Sequence, residues 1–176
     1  MIREGLTMSK REYDKYVHFG HSYFDRGRFE HPKDVKGSIM MMNKPYGGLW
    51  ASPCKKNCYT WLNWCKSEDF CLDKYTPESR FTFRLTDDAR VFHIRTPEDA
   101  YYLADNYPLG HKMHHMVILE IDYTKVVDDY DAVQIHIYDE EGSYKLYSVM
   151  CGWDCDSIVV LNPEVIIPIK ENRDND

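Results

Sequence analysis

The stretch "CGWDCDSIVVLNPEVIIPI", Cys151 to Ile169, decides the fold. Its middle, Ser157 to Leu161, is an apolar run of strand length and reads as a buried β-strand. Asn162 and Pro163 interrupt it, and the remainder supplies a further strand. Two carboxylates, Asp154 and Asp156, stand at the mouth of the run with spacing i, i+2. Alternation along a strand directs both to one face. Like charges held beside apolar surface are costly unless something uses them. The structural alternative is that they cap the turn ahead of the strand, as Asp often does.

Outward from that strand the chain reads as one α+β domain, residues 15–170, between a loose polar N-terminus, 1–14, and a short tail, 171–176. "KYVHFGHSYF" (Lys15 to Phe24) is β-like with Gly20 inside it. Strand alternation there places His18, Gly20 and Ser22 on one face and His21 on the other. "KPYGGLWASP" (Lys44 to Pro53) is a glycine turn followed by the short strand "LWAS". Cys58, Trp61, Leu62 and Cys65 recur at helical spacing and predict a helix whose tryptophans belong to the core. "RFTFRLT" and "ARVFHI" are strands. "TPEDAYYLADNY" is a helix with Thr96 as N-cap and Pro97 at its first position. Residues 121–130 predict a short helix and "DAVQIHIY" a strand. "DEEGS" reads as a hairpin turn, and "YKLYSVM" (Tyr144 to Met150) as the strand that returns from it. The loop "LGHKMHHM" carries His111, His114 and His115, read as solvated.

The chain has 176 residues and a formal net charge of −7, with 43% hydrophobic and 29% charged residues. That charge argues against a protein that coats nucleic acid, and nucleic acid is not indicated as a partner. No apolar run approaches membrane-span length and no secretory signal is visible, which predicts a cytoplasmic protein. Six cysteines include two C-x3-C pairs, Cys54/Cys58 and Cys151/Cys155. They are read as free, mostly buried thiols rather than zinc ligands, and no metal is expected.

Three segments carry candidate chemistry: "VHFGHS", "GGLWAS" and "DCDSIVVLNPEV". In this order they resemble the ADP-ribosyltransferase fold family, which includes diphtheria-like toxins and the poly(ADP-ribose) polymerases. In that family a first strand carries His-Gly, a later strand Gly-x-Gly-Ile-Tyr-Phe-Ala, and the last segment Glu-Tyr-Ile-Val-Tyr before a further strand. The resemblance spans about Tyr16 to Ile169. It implies two small packed, mostly antiparallel β-sheets around a cleft that takes NAD as substrate. It implies Asp156 as the catalytic carboxylate and Asp154 as the acceptor-side residue of a Glu-x-Glu-like pair. Trp50 would stack on nicotinamide, Gly20 would hold its amide, and His18 or His21 would bind the adenosine ribose. Ser22, Lys44, Gly48 and Ser52 complete the implied NAD contacts, Lys44 near the pyrophosphate.

The chemistry suits these residue types. Cleavage of the nicotinamide–ribose bond passes through an oxocarbenium-like state, which a placed carboxylate stabilises. The chain departs from the family pattern in three places. Asp156 stands for Glu and is one methylene shorter. His and Gly are not adjacent. Trp50 stands for Tyr and offers only a donor N–H. The loss of Glu implies mono-ADP-ribosylation of a macromolecular acceptor, expected to be protein, rather than chain elongation. The alternatives are an NAD glycohydrolase on the same fold and an inactive NAD- or protein-binding module.

Overall fold

The computed structural model describes residues 15–33, 43–55, 59–75, 77–109, 119–138 and 143–170. Among them seven strands form one mixed sheet. These are β1 (Tyr16–Phe19), β2 (Leu49–Pro53), β3 (Arg80–Leu85), β4 (Val91–Ile94), β5 (Ala132–Ile135), β6 (Ser157–Val160) and β7 (Ile166–Ile169). Their order is β4-β5-β6-β2-β1-β3-β7. β4 and β5 run parallel, and the other neighbours are antiparallel. Four α-helices are described: α1 (Trp61–Ser67), α2 (Pro97–Asn106), α3 (Tyr123–Asp129) and α4 (Ser143–Val149). The α+β class is therefore as expected, while the expectation of two separate sheets is corrected. The two halves of the sheet are joined by a narrow ladder, Tyr16↔Pro53 and Val17↔Ser52, between β1 and β2.

β6 shows why the sheet is buried on both sides. Val159 and Leu161 point into one core, with Ile94, Leu103, Val126 and Trp153. Ile158 and Val160 point into the other, with Tyr16, Phe83 and Ile166. Each such side chain contributes roughly 1.5–3 kcal/mol through burial.

Local signals fix most helix ends. Thr96 accepts a hydrogen bond from the Asp99 N–H, and Asp99 bonds back to the Thr96 backbone, so α2 starts on a capping box. Asn63 plays the same part for Thr60 at α1, so that helix starts at Trp61. The stripe on α1 buries Cys65 fully, while Cys58 lies outside the described residues. Asp122 caps α3 through the Thr124 N–H.

Two further expectations need correction. "YKLYSVM" is no strand: it lies in and just past α4, with Leu146 and Met150 fully buried at spacing i, i+4. Its buried residues follow the helical period rather than the twofold one. The β-like run from Lys15 to Phe24 ends as a strand at Phe19. Gly20 turns the chain there with φ +118° and donates its N–H to Ser79 O at 2.7 Å. His111, His114 and His115 lie outside the described residues. No helix among the described residues is long and apolar enough to cross a membrane.

Candidate functional site

The three segments that carry the resemblance lie far apart in sequence and side by side in the sheet, as β6-β2-β1. Residues Leu49, Trp50 and Ala51 of β2 face Val160, Val159 and Ile158 of β6. This approach needs glycine at the turn into β2. Gly48 has φ +73°, and a Cβ there would lie 2.6 Å from Val159 Cγ2 and 2.9 Å from Val160 O.

On the other side of β2 the ladder to β1 ends at Val17↔Ser52. Beyond it the His18 ring bridges the gap. Its Nδ1 donates to the Trp50 carbonyl oxygen at 2.7 Å. That bond fixes the tautomer and leaves Nε2 as an acceptor. His21 Nδ1 stands 3.3 Å from His18 Nε2, and the two rings stack at 5.6 Å. The expected separation of His18 and His21 onto opposite faces is thus corrected. The strand ends between them, so its alternation does not reach His21. Burial lowers the His18 pKa; the bond to the Trp50 carbonyl opposes this, and His21 adds to it. His18 is neutral at neutral pH.

Two cavities share His18 and Trp50 in their walls. One, about 250 Å³, is mainly apolar: Val17, Phe19, Trp50 and Trp61 line it, with Lys44, Ser52 and Ser157 as polar groups. The other, about 310 Å³, is lined by Phe24, Phe29 and Phe81 together with His21, Arg28 and Glu30. Pockets that enclose organic ligands hold about 300–1,000 Å³, so each cavity is near the lower end of that range.

Comparison with family models, with curated proteins and with solved structures finds no match to this chain. The site therefore has to be read from its own geometry.

Trp50 packs on buried Trp153 with ring centroids 4.7 Å apart, and Lys44 Nζ lies 5.8 Å from its ring centre. Ser52 lines the apolar lobe, but its Oγ accepts the Trp61 N–H at 3.0 Å and so holds the start of α1 against the cleft. Gly20 has already spent its N–H on Ser79. Ser22 is exposed and lines neither lobe.

The two carboxylates have different surroundings, which corrects the expectation that they share a face. Both precede the first residue of β6, where strand alternation does not yet apply. Asp154 pairs with Lys44 at 3.7 Å. Asp156 is 5% exposed, and its Oδ1 accepts the N–H groups of Ile137 at 2.8 Å and Tyr138 at 3.1 Å. Its own N–H donates to Tyr59 O. Ser157, not Asp156, is the residue of this segment that lines the apolar lobe.

Sequence reasoning missed Ser157 and Phe19 as cleft residues and took Trp61 for core; their exposure to the lobe depends on how β1, β2 and α1 meet. Cysteines are described at positions Cys54, Cys65, Cys71, Cys151 and Cys155. Among the described cysteines only Cys65 and Cys155 are buried, so the expectation of mostly buried thiols is corrected for these residues. Burial raises the Cys155 pKa to about 12, which keeps that thiol protonated and unreactive. Among the described residues no group of three His, Cys, Asp or Glu side chains is placed to hold a metal ion.

Proposed function

We propose that this protein is an NAD-dependent mono-ADP-ribosyltransferase of the cytoplasm, with NAD as substrate and a protein as acceptor. The observation that carries the reading is the convergence of the three resembling segments on adjacent strands, beside two cavities that share His18 and Trp50 in their walls. The nicotinamide ring enters the apolar lobe and stacks on Trp50, an interaction worth roughly 0.5–1.5 kcal/mol. His18, neutral and with Nε2 as acceptor, takes a proton from an adenosine ribose hydroxyl into a hydrogen bond. The adenosine lies among Phe24, Phe29 and Phe81. Gly20 acts as the turn that ends β1, and Gly48 lets β2 lie against β6. All three motif segments contribute to the wall of the apolar cavity: Val17 and Phe19, Trp50 and Ser52, and Ser157.

The bond between ring nitrogen and ribose breaks with its electron pair going to the ring, which leaves as neutral nicotinamide. The ribose carbon becomes cationic and accepts the lone pair of the acceptor, whose proton is released. The chain's net charge of −7 favours a protein acceptor over nucleic acid.

Incubation with NAD and a cell lysate, followed by mass spectrometry, tests this. Nicotinamide release with ADP-ribosyl adducts on protein is the expected result. Release without an adduct would make the protein an NAD glycohydrolase. The burial of Asp156 favours one other reading, a catalytically silent NAD-binding module; NAD binding with no release would establish it.

A further inference from the structure

The apolar cavity has aromatic walls and polar groups with hydrogens to donate. Phe19, Trp50 and Trp61 supply three rings, and among the described residues no Asp or Glu lines it. With His18 neutral, Lys44 is the lining residue that carries charge, and it is positive in a chain of net charge −7. The Lys44 side chain is only 22% exposed, yet among the described residues its Nζ makes no hydrogen bond. Asp154 pairs with it at 3.7 Å, beyond hydrogen-bond length, and lines neither cavity. A partly desolvated ammonium with donors to spare costs free energy that an incoming anion offsets. Ser52 adds a second donor. It is 1% exposed, its Oγ accepts the Trp61 N–H at 3.0 Å, and among the described residues no acceptor takes its hydroxyl hydrogen. Ser157, by contrast, donates to Cys155 O at 3.1 Å. The backbone beside Lys44 is fixed: buried Asn43 accepts Trp153 Nε1 and Tyr123 Oη on its carbonyl oxygen, each at 2.9 Å.

We infer that this cavity binds a single-ring aromatic carboxylate, of the class of nicotinate and benzoate, with its ring against Trp50 and its carboxylate on Lys44. Lys44 Nζ lies 5.8 Å from the Trp50 ring centre, so a ring lying against that wall has the ammonium within reach of a substituent. The volume of about 250 Å³ is below that of pockets for drug-sized ligands, and suits one ring rather than a long acyl chain. Aromatic walls favour a planar ring over an aliphatic acid of the same charge. The carboxylate accepts a charge-assisted hydrogen bond from Lys44 and has oxygens left for the Ser52 hydroxyl. The matching amide is the poorer ligand. Its oxygen is neutral, and its NH₂ meets donors where it needs an acceptor. The inference goes beyond the NAD reading and stands without it. If NAD places its own ring in this cavity, the free acid competes with it.

Calorimetric titration of the full chain with nicotinate, nicotinamide, benzoate, benzamide and acetate at pH 7 tests this. Each acid should bind about 10-fold or more tightly than its amide, as a hydrogen bond to a charged group provides, and acetate should not bind. Lys44→Met keeps the apolar stem and should abolish the preference for acid, while Lys44→Arg should retain it. Arg28→Gln, in the other cavity, should leave nicotinate binding unchanged. Nicotinate adenine dinucleotide carries the same ring acid, and its affinity relative to nicotinate separates a dinucleotide-borne carboxylate from a free one; either must depend on Lys44. Equal affinity for acid and amide in the wild type overturns the inference, and that comparison needs no variant to fold. So does a preference for acid that survives Lys44→Met or is lost in Arg28→Gln, and so does a failure of every aromatic acid to bind. Nicotinate binding that depends on Lys44 in a protein that binds no NAD overturns the NAD reading and leaves this inference standing. NAD cleavage without any preference for acid does the reverse.

Discussion

His18 Nδ1 donates to the Trp50 carbonyl oxygen at 2.7 Å across the point where β1 and β2 cease to pair. One bond thus ties β1 to β2 between the two cavities and orients the other nitrogen of the imidazole, which stands 3.3 Å from His21 Nδ1. A side chain that bridges a split in a sheet is sensitive to its own charge. Protonation gives His18 two donors, removes the acceptor at Nε2, and sets it against a donor from His21.

The first prediction follows from that bond. Burial, partly opposed by the Trp50 carbonyl, depresses the His18 pKa below its ordinary value of 6.5. The folded state holds the neutral form more tightly than the unfolded chain does. The His18 contribution to stability is therefore complete above pH 6.5 and is lost as pH falls through the depressed folded pKa. NAD affinity should fall over the same acidic range. Titration of affinity and Tm between pH 7.5 and about 4.5 checks it; in His18→Gln the affinity change over that range should vanish. An unchanged acid limb in His18→Gln would remove His18 from the account.

The second prediction concerns Asp156. Its carboxylate satisfies two backbone N–H groups, of which that of Ile137 is buried. Asp156→Ala leaves these donors without this acceptor and should cost about 1–3 kcal/mol, read as a lower urea midpoint. Asp156→Asn keeps an acceptor oxygen and should cost less. Equal stability of Asp156→Ala and wild type would show that the two bonds carry no net free energy.

Trp50 gives a third, functional prediction. If the nicotinamide ring stacks on it, free nicotinamide should quench its fluorescence. Trp50→Leu should weaken nicotinamide and NAD binding by about 3–10-fold, given stacking energies near 1 kcal/mol, and should also lower Tm because the ring packs on Trp153. Equal quenching in the Trp50→Leu protein would place the ring elsewhere.

The sequence made some of this legible because the deciding signals were local. Thr96, Pro97 and Asp99 announce α2 through caps that operate within one turn. The apolar run after Asp156 announces a buried strand, and β6 is that strand. The failures share a physical cause. Alternation was carried past the end of a strand at Asp154–Asp156 and again at Gly20–His21, where the backbone has left extended geometry. α4 was misread because its tyrosines favour strands, while its buried Leu146 and Met150 obey a helical period that tertiary packing selects. Trp61 could not be placed in the cleft from its helix alone, since Ser52 of another element holds the start of that helix there.

Gly48 supplies the last prediction, which tests the close approach of β2 and β6. A Cβ at this position meets Val159 Cγ2 at 2.6 Å, which a rotamer change can relieve, and Val160 O at 2.9 Å, which it cannot. The φ of +73° adds strain for any L side chain. Gly48→Ala should therefore destabilise the fold by on the order of 1–3 kcal/mol. Because Trp50 lies two residues on and pairs with Val159, relief by local strand separation would shift the Trp50 ring. The protein should then show a changed tryptophan emission maximum and weakened nicotinamide binding beyond what its lower stability explains. Gly27→Ala is the control: Gly27 does not have positive φ, and its added Cβ meets only the end of the Asp25 side chain at 3.3 Å. A Gly48→Ala protein as stable as the Gly27→Ala protein would mean that β2 and β6 do not pack as closely as this geometry requires.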